Sequence, residues 1–219
     1  SKARAEKIAQ QYPTPFYLYD EAGIRKTARL VNKAFSWNKG FKEYFAVKAT
    51  PNPYILQILK EEGCGADCSS YTELELSRAV GITGQNIMFS SNETPVADMQ
   101  LAKQLGAIIN LDDFTHVDFL EKVAGIPEII CCRFNPGGHF AIANGIMDNP
   151  GESKYGMTRA QMAVRITAAQ MAEVILIHQM ISQSYPVKMD PVQEELSLSY
   201  SELNRKIKME ITAKYISFH

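Results

Sequence analysis

The feature of this sequence that most restricts its fold is a regular alternation of short apolar runs with longer amphipathic ones. Residues 53–61, for example, place Ile55, Ile58 and Leu59 on one face of a predicted helix. Six strand-then-helix units of this kind follow one another, with predicted strands beginning at Tyr44, Ala66, Ile87, Ala107, Ile129 and Val174. The pattern predicts a parallel sheet with right-handed crossovers, in either an open doubly wound sheet or a closed barrel.

The segment before these units is less regular. Residues 1–12 are polar and helix-like, which is not the composition of a signal peptide. Residues 16–19 are predicted to form a strand, and Asp20 is predicted to cap a helix that ends near Phe35.

The pattern fails after His178. Residues 179–206 are mostly polar with few turn signals, and residues 208–218 alternate only weakly, as a poor strand would. We therefore assign residues 1–178 to a barrel portion and leave residues 179–219 unassigned.

The composition argues against several classes of partner. A formal net charge of -1 gives no electrostatic reason to bind nucleic acid or an anionic membrane surface. No apolar run is long enough to span a bilayer, and no His, Asp and Glu set has metal-ligand spacing. The cysteines lie among small or apolar residues without zinc spacing, which favours free thiols in a reducing cytoplasm. They are Cys64, Cys68, Cys131 and Cys132.

Polar residues cluster just after the predicted strands. Barrel enzymes build their sites at the carboxyl ends of their strands, so these residues are candidates for a site. They are Lys48, Ser69, Ser70, Ser90, Ser91, Asn92, Arg133, Asn135 and His178.

Lys48 ends an apolar run, so its ammonium group must either reach water or be held in a site. Partial burial would lower its pKa and make the amine nucleophilic, as Schiff-base chemistry requires. An ordinary surface lysine at a strand end is the alternative.

Two carboxylates follow on the next unit. Asp67 lies within a predicted strand, where a charge is costly unless it has a partner. Glu73 lies in the first turn of the next helix, where the helix dipole favours an anion, so a capping role competes with a catalytic one.

Arg133 and His178 end two later strands. Arg133 could hold an anionic group of a ligand or form a structural ion pair. His178 could line a site or could simply be packed and hydrogen-bonded.

Five segments resemble the diaminopimelate decarboxylases and occur in the order found in that family. They are residues 14–20 (TPFYLYD), 44–50 (YFAVKAT), 63–74 (GCGADCSSYTEL), 133–137 (RFNPG) and 153–157 (SKYGM). The chain thereby resembles the fold-type III pyridoxal-phosphate enzymes, which include the alanine racemases and ornithine decarboxylases.

This resemblance implies an α/β fold, the (β/α)8 TIM-type barrel, of which about six units are readable. It implies pyridoxal 5'-phosphate as cofactor, with Lys48 as the Schiff-base lysine and Asp67 and Glu73 as the acidic pair beside it. Asp67, His178 and Arg133 are the further candidate cofactor-binding residues. The implied reaction is decarboxylation of meso-2,6-diaminopimelate to L-lysine and carbon dioxide, in a cytoplasmic homodimer with shared active sites.

The sequence also departs from the family pattern. Met180 stands where the family has the histidine that stacks on the pyridine ring. The glycine-rich phosphate loop, the glutamate for the pyridine nitrogen, the EPGR-like segment and the Cys-Glu-Ser motif are not found, and no glycine follows Gly156. The family's C-terminal β domain is not recognisable, so we expect a chain that is truncated or altered after residue 178.

Other interpretations of the resemblance remain open. A small non-catalytic barrel that binds pyridoxal phosphate would suit the length of the chain, whereas the matched segments favour a decarboxylase. A catalytically inactive relative that acts through protein contacts would suit the missing motifs. Within the decarboxylases, ornithine, arginine and carboxynorspermidine are alternative substrates.

Overall fold

The computed structural model describes residues 2–135, 156–158, 160–162, 173–178 and 215–216, the last two segments through their backbone alone. Helices and strands alternate along the chain. The helices are α1 (Lys2–Gln11), α2 (Glu21–Ala34), α3 (Pro53–Glu61), α4 (Tyr71–Ala79), α5 (Val96–Gln104) and α6 (Thr115–Val123). The strands are β1 (Lys42–Ala46), β2 (Gly65–Cys68), β3 (Ile87–Ser90), β4 (Ile108–Leu111), β5 (Ile129–Phe134), β6 (Glu173–His178) and β7 (Tyr215–Ile216).

The described strands form one parallel sheet in the order β6-β5-β4-β3-β2-β1-β7. Each strand from β1 to β6 therefore neighbours the next strand in the sequence, and α3 to α6 connect the first five. The strand β7 pairs with β1 on the side opposite β2. This neighbour order is that of a barrel wall, in which all carboxyl ends lie at one rim.

The two faces of the sheet have different contents. Alternate residues of β2 to β5 pack against α3 to α6 in one large helix-facing core, since successive strand residues point to opposite faces. The residues between them point inward, where a smaller cluster forms a floor. This floor consists of Tyr44, Met88, Ile108 and Cys131, with Ile129 packed against it.

Glycines end the helices before the strands begin. Gly106 follows α5 with a φ of 70°, and Gly125 follows α6 with a φ of 76°. Both lie in the left-handed region, where a residue with a Cβ is strained. The amide of Gly125 donates to the carbonyl of Leu120 at 2.9 Å, so the turn also satisfies a helix-terminal carbonyl.

The predicted units from residue 53 to residue 134 agree with the observed elements within two residues at most boundaries. Two predictions before that stretch are wrong. Residues 16–19 form no strand, because no described strand pairs with them, and Tyr17 is 88% exposed. The first strand of the sheet ends at Ala46 and not at Lys48, since Val47–Ala49 form a 3-10 turn.

Several predictions fall partly outside the described residues. In the helical part predicted between the strands at Ile129 and Val174, residues 160–162 are helical, and residues 163–172 lie outside the described residues. Of the weak strand 208–218, Tyr215–Ile216 forms β7. Residues 179–206 also lie outside them. Within the described part of the chain, no helix has the length and apolar character needed to cross a membrane.

Candidate cofactor site

Lys48 lies at the carboxyl rim of the sheet, on the 3-10 turn that follows β1. Its neighbour Val47 is fully buried in the helix-facing core and anchors the turn, whose end is closed by the amide of Thr50 donating to the carbonyl of Val47 at 3.1 Å. Lys48 itself is exposed. The prediction that this lysine is partly buried is therefore wrong, because the residue lies beyond Ala46, the last paired residue of the strand.

Asp67 lies on β2, the strand beside the one that leads to Lys48. It is paired with Ala46 on one side and with Met88 on the other. Its sequence neighbours Ala66 and Cys68 belong to the helix-facing core, so the Asp67 side chain points to the inner face. At 8% exposure it is a buried carboxylate in the middle of the sheet, two positions below the level of Lys48.

Glu73 is engaged at the start of α4. Its carboxylate accepts from the Ser69 amide at 2.8 Å and from the Ser69 hydroxyl at 3.1 Å. Ser70 is the N-cap residue, and its hydroxyl accepts from the Glu73 amide at 3.4 Å. This arrangement resembles a capping box, except that the Glu73 carboxylate accepts from the amide of Ser69, one residue before the N-cap; both contacts satisfy backbone donors at the helix N-terminus. The structure therefore gives Glu73 a capping contact, and its catalytic role stays a prediction.

A further acceptor at this helix start escaped the sequence reasoning. Asp98, in the first turn of α5, is buried and accepts from the Tyr71 amide at 2.9 Å. The signal was an aspartate in an otherwise apolar helix start after Pro95. The side chains of Ser70, Glu73 and Asp98 thus fix the loop that follows β2.

Arg133 points to the inner face near the end of β5. Its Nη1 lies 2.7 Å from the Oδ1 atom of Asp112, and its Nη2 donates to the Ser90 hydroxyl at 3.4 Å. The same hydroxyl accepts from the Asn110 amide nitrogen at 2.9 Å. Burial raises the pKa of Asp112, and the charge of Arg133 opposes that rise. Arg133 therefore forms the structural ion pair that the sequence left open, and its contact with a cofactor stays a prediction.

Asn110 and Asp112 also escaped the sequence reasoning, although both follow an apolar run at a strand end. Each is 4% exposed. The alternation of β4 puts Asn110 on the inner face, since Ile109 and Leu111 lie in the helix-facing core.

The two later segments that resemble the family meet in space. The Met157 amide donates to the Arg133 carbonyl at 2.8 Å, and the Asn135 amide donates to the Met157 carbonyl at 2.9 Å. The Gly156 amide donates to the Asp112 carbonyl at 3.0 Å. The end of the SKYGM segment is therefore fixed beside the residues that hold Arg133.

His178 is the last residue of β6, and its backbone is paired with Phe134. It therefore ends a strand at the same rim as the other candidates. Its side chain, Lys154 and Met180 lie outside what the structure describes, so the cofactor-binding role of His178 stays a prediction.

The sequence matches the family model described as pyridoxal-dependent decarboxylase, pyridoxal binding domain, over residues 21–180. Protein TabA of Pseudomonas amygdali pv. tabaci is 41% identical over 157 residues, which are 72% of this chain and 36% of that protein. Diaminopimelate decarboxylase of Thermoplasma acidophilum is 30% identical over 184 residues, 82% of this chain and 44% of the relative. The chain thus spans less than half the length of these relatives.

The fold likeness extends further along the chain. The crystal structure of diaminopimelate decarboxylase from Helicobacter pylori complexed with L-lysine matches with a TM-score of 0.72 at 26% identity. The match covers 94% of this chain and 55% of that chain. The predicted fold class, the N-terminal portion of an α/β barrel of the fold-type III kind, is confirmed by these matches. Pyridoxal phosphate, the predicted cofactor, is confirmed through the matched pyridoxal-binding domain.

Proposed function

Because the chain belongs to the pyridoxal-dependent decarboxylases, we propose that it takes part in the decarboxylation of an amino acid and that this amino acid is meso-2,6-diaminopimelate. The products would be L-lysine and carbon dioxide. The named relatives from Thermoplasma acidophilum and Helicobacter pylori are diaminopimelate decarboxylases, which supports this substrate.

One observation carries the proposal. Lys48 lies on the turn that follows β1, and Asp67 is a buried, inward-facing aspartate on the adjacent strand β2, in register with Ala46. Ser90 and Asn110, which are in register with each other, add polar side chains to the inner face two positions beyond Met88, the register partner of Asp67. The donor set suits pyridoxal phosphate, because it offers an amine for covalent attachment and a carboxylate that stabilises a cation there.

The residues of this chain would divide the work as follows. Lys48 would hold the cofactor covalently, and its exposure leaves the amine accessible to a carbonyl group. Asp67 would favour the protonated state of the Lys48 nitrogen, since a nearby anion stabilises a cation. Arg133 would offer a fixed cationic group on the opposite side of the inner face. Pyridoxal phosphate, when bound, supplies the electron sink for the bond pair that carbon dioxide leaves behind.

The remaining parts of the proposal concern the whole protein. The resemblance supports a homodimer with shared active sites. A cytoplasmic location is supported by the four cysteines, which are buried and form no disulfide, as they would in a reducing compartment. We retain residues 1–178 as the cofactor-binding barrel portion and residues 179–219 as an unassigned continuation.

Two measurements test the proposal separately. Borohydride reduction followed by peptide mapping should place the cofactor on Lys48, and recovery of the adduct on another lysine would overturn that assignment. Carboxyl-labelled meso-diaminopimelate should release labelled carbon dioxide with one lysine formed per carbon dioxide. Ornithine, arginine and carboxynorspermidine, assayed at the same concentration, should release much less.

A second candidate is decarboxylation of a different basic amino acid. It remains to be tested, because Protein TabA, a relative at 41% identity, does not carry the name of a diaminopimelate decarboxylase. Faster release from one of the alternative substrates would establish this candidate. Cofactor bound at Lys48 without release from any of them would indicate the non-catalytic binding protein.

A further inference from the structure

Four polar side chains from three neighbouring strands meet on the inner face of the sheet. Ser90 ends β3, Asn110 lies on β4, Asp112 follows β4, and Arg133 lies on β5. Asn110 and Asp112 are buried, and the Arg133 side chain is 18% exposed. The proposed role of Arg133 as a cofactor-binding cation depends on how this group holds it.

Ser90 joins two of these side chains. Its oxygen lies 2.9 Å from the Asn110 amide nitrogen and 3.4 Å from the Arg133 Nη2. Amide and guanidinium nitrogens only donate, so the Ser90 oxygen accepts from both. Its two lone pairs are then in use, and its own hydrogen is left to donate elsewhere.

Asp112 fixes the other end of the guanidinium. Its carboxylate lies 2.7 Å from Nη1, so both terminal nitrogens of Arg133 have partners from different strands. A planar guanidinium held at two nitrogens has a fixed plane, which a lysine ammonium would not have.

The backbone around Arg133 is also fixed. Gly156, with a φ of 86°, lies against its stem, and a Cβ added there would come within 3.2 Å of the Arg133 Cγ. The amide of Gly156 donates to the Asp112 carbonyl, so one glycine holds both members of the ion pair. Such support is typical of a group that must be placed accurately.

One atom of the cluster indicates that it faces a ligand. The Asn110 Oδ1 is buried and has no hydrogen-bond partner among the residues that the structure describes. Buried polar atoms are nearly always paired with protein or water, so a purely structural cluster would be expected to satisfy this acceptor. The atom lies on the same level of the inner face as Ser90, which is its register partner.

We propose that Ser90 is a positioning residue, which sets the guanidinium plane of Arg133 for the bound cofactor by bridging Arg133 to Asn110. The proposal rests on the proposed function, since it assumes that pyridoxal phosphate binds at this rim. The Ser90 hydroxyl acts through Arg133, so its contribution depends on an intact guanidinium.

The test compares cofactor dissociation constants, measured by absorbance titration, for the wild type and a set of variants. Ser90→Ala should weaken pyridoxal phosphate binding about 5- to 10-fold, because one hydrogen bond to a charged group is lost. Ser90→Thr keeps the hydroxyl and should bind within about twofold of wild type. Ser36→Ala is the control, since Ser36 is an exposed serine after α2 and lies outside the sheet, and it should leave binding unchanged.

A double-mutant cycle separates positioning from a structural role. Arg133→Lys keeps a charge for Asp112 but cannot also reach Ser90 in the same plane, so Ser90→Ala should add little in that background. Unchanged binding in Ser90→Ala, or a full additive effect in the Arg133→Lys background, would overturn the proposal. A wild type that binds the cofactor at another lysine would overturn the proposed function first, and borohydride mapping detects that outcome independently.

Discussion

The helix-facing side and the inner side of the sheet are built from the same strands but differ in what they bury. On the helix-facing side, residues such as Phe89 and Leu120 are almost fully buried in one continuous apolar core. On the inner side, a floor of Tyr44, Met88, Ile108 and Cys131 is followed toward the rim by polar side chains. Stability therefore depends mostly on the first face, while the second can carry charge.

This division explains why neighbouring residues have unrelated roles. Asp67 lies between Ala66 and Cys68, both of which are fully buried in the helix-facing core. The period of two along a strand permits this, since a change on one face leaves the packing of the other unaltered. The predictions below test whether the two faces are as independent as this arrangement indicates.

The largest effect is expected at the rim. Lys48→Ala should abolish covalent attachment of pyridoxal phosphate, because the amine is removed, yet the free energy of unfolding should change by less than about 0.5 kcal/mol. The second expectation follows from the exposure of this side chain. Attachment is measured by the near-ultraviolet absorbance that stays with the protein after borohydride reduction, and stability is measured by urea titration. Lys60→Ala is a control lysine at the end of α3, and retained attachment in Lys48→Ala would contradict the assignment.

A core substitution should show the opposite profile. Phe89 is 1% exposed, and Phe89→Ala should lower the free energy of unfolding by about 3–5 kcal/mol through lost burial and a residual cavity. Phe16→Ala is the matched control, since Phe16 lies outside the sheet and is 38% exposed, and its loss should be under about 1 kcal/mol. Equal losses in urea titration would show that the helix-facing core is not the main source of stability.

Glu43 is an ionisable residue on the otherwise apolar helix-facing side of β1. Its neighbour Tyr44 points inward, and successive strand residues alternate, so Glu43 points toward the helices. Burial, and secondarily the charge of Asp67, raise the pKa of Glu43 to about 7, while Cys64 and Lys42 are its other titratable neighbours. A carboxyl group with a raised pKa stabilises the folded state while protonated, so stability falls as pH rises from about 4.5 through about 7.

The corresponding variant removes this pH dependence. Glu43→Gln should flatten the stability profile over that range, and at pH 8 it should be more stable than wild type by about 1–2 kcal/mol, a value reduced because the side chain is partly exposed. Thermal unfolding at several pH values measures the difference. Glu121→Gln changes an exposed glutamate and should leave the profile as it is. A wild-type profile that rises across this range would refute the assignment.

Glu73 tests whether the helix start belongs to the site or to the scaffold. Its contacts with Ser69 predict that Glu73→Ala lowers stability by about 1 kcal/mol, while Glu73→Gln keeps the acceptor and loses about half as much. Cofactor affinity should be unchanged in Glu73→Gln if the residue acts as a cap. A large loss of affinity in that variant would instead support the catalytic role implied by the family resemblance.

The sequence predicted most of the units from residue 53 to residue 134 because apolar periodicity and helix caps are local signals. It predicted that the strand before Lys48 and the strand of Asp67 are neighbours, since consecutive strands of such sheets are usually adjacent. It missed the ion pair between Arg133 and Asp112, which depends on the register of β4 and β5. The strand predicted at residues 16–19 failed because apolar composition indicates strand propensity but not whether a pairing partner exists.

The smallest effect on stability, and the most specific one, is expected at Asp67. Asp67→Asn keeps the shape of the side chain and removes its charge, so the unfolding free energy should change by no more than about 1 kcal/mol. A nearby anion stabilises the protonated form of the Lys48 nitrogen. Its removal should therefore move the pH midpoint of the absorbance of the bound cofactor to a lower pH. Ala46, two residues before Lys48, is in register with Asp67, so the carboxylate lies on the strand beside the Lys48 turn and a through-space effect of this sign is expected. Asp118→Asn removes the same charge from α6 and serves as the control with an unchanged midpoint. If Asp67→Asn leaves the midpoint where it is in wild type, the inner-face carboxylate does not act on Lys48, and its burial must be explained by packing alone.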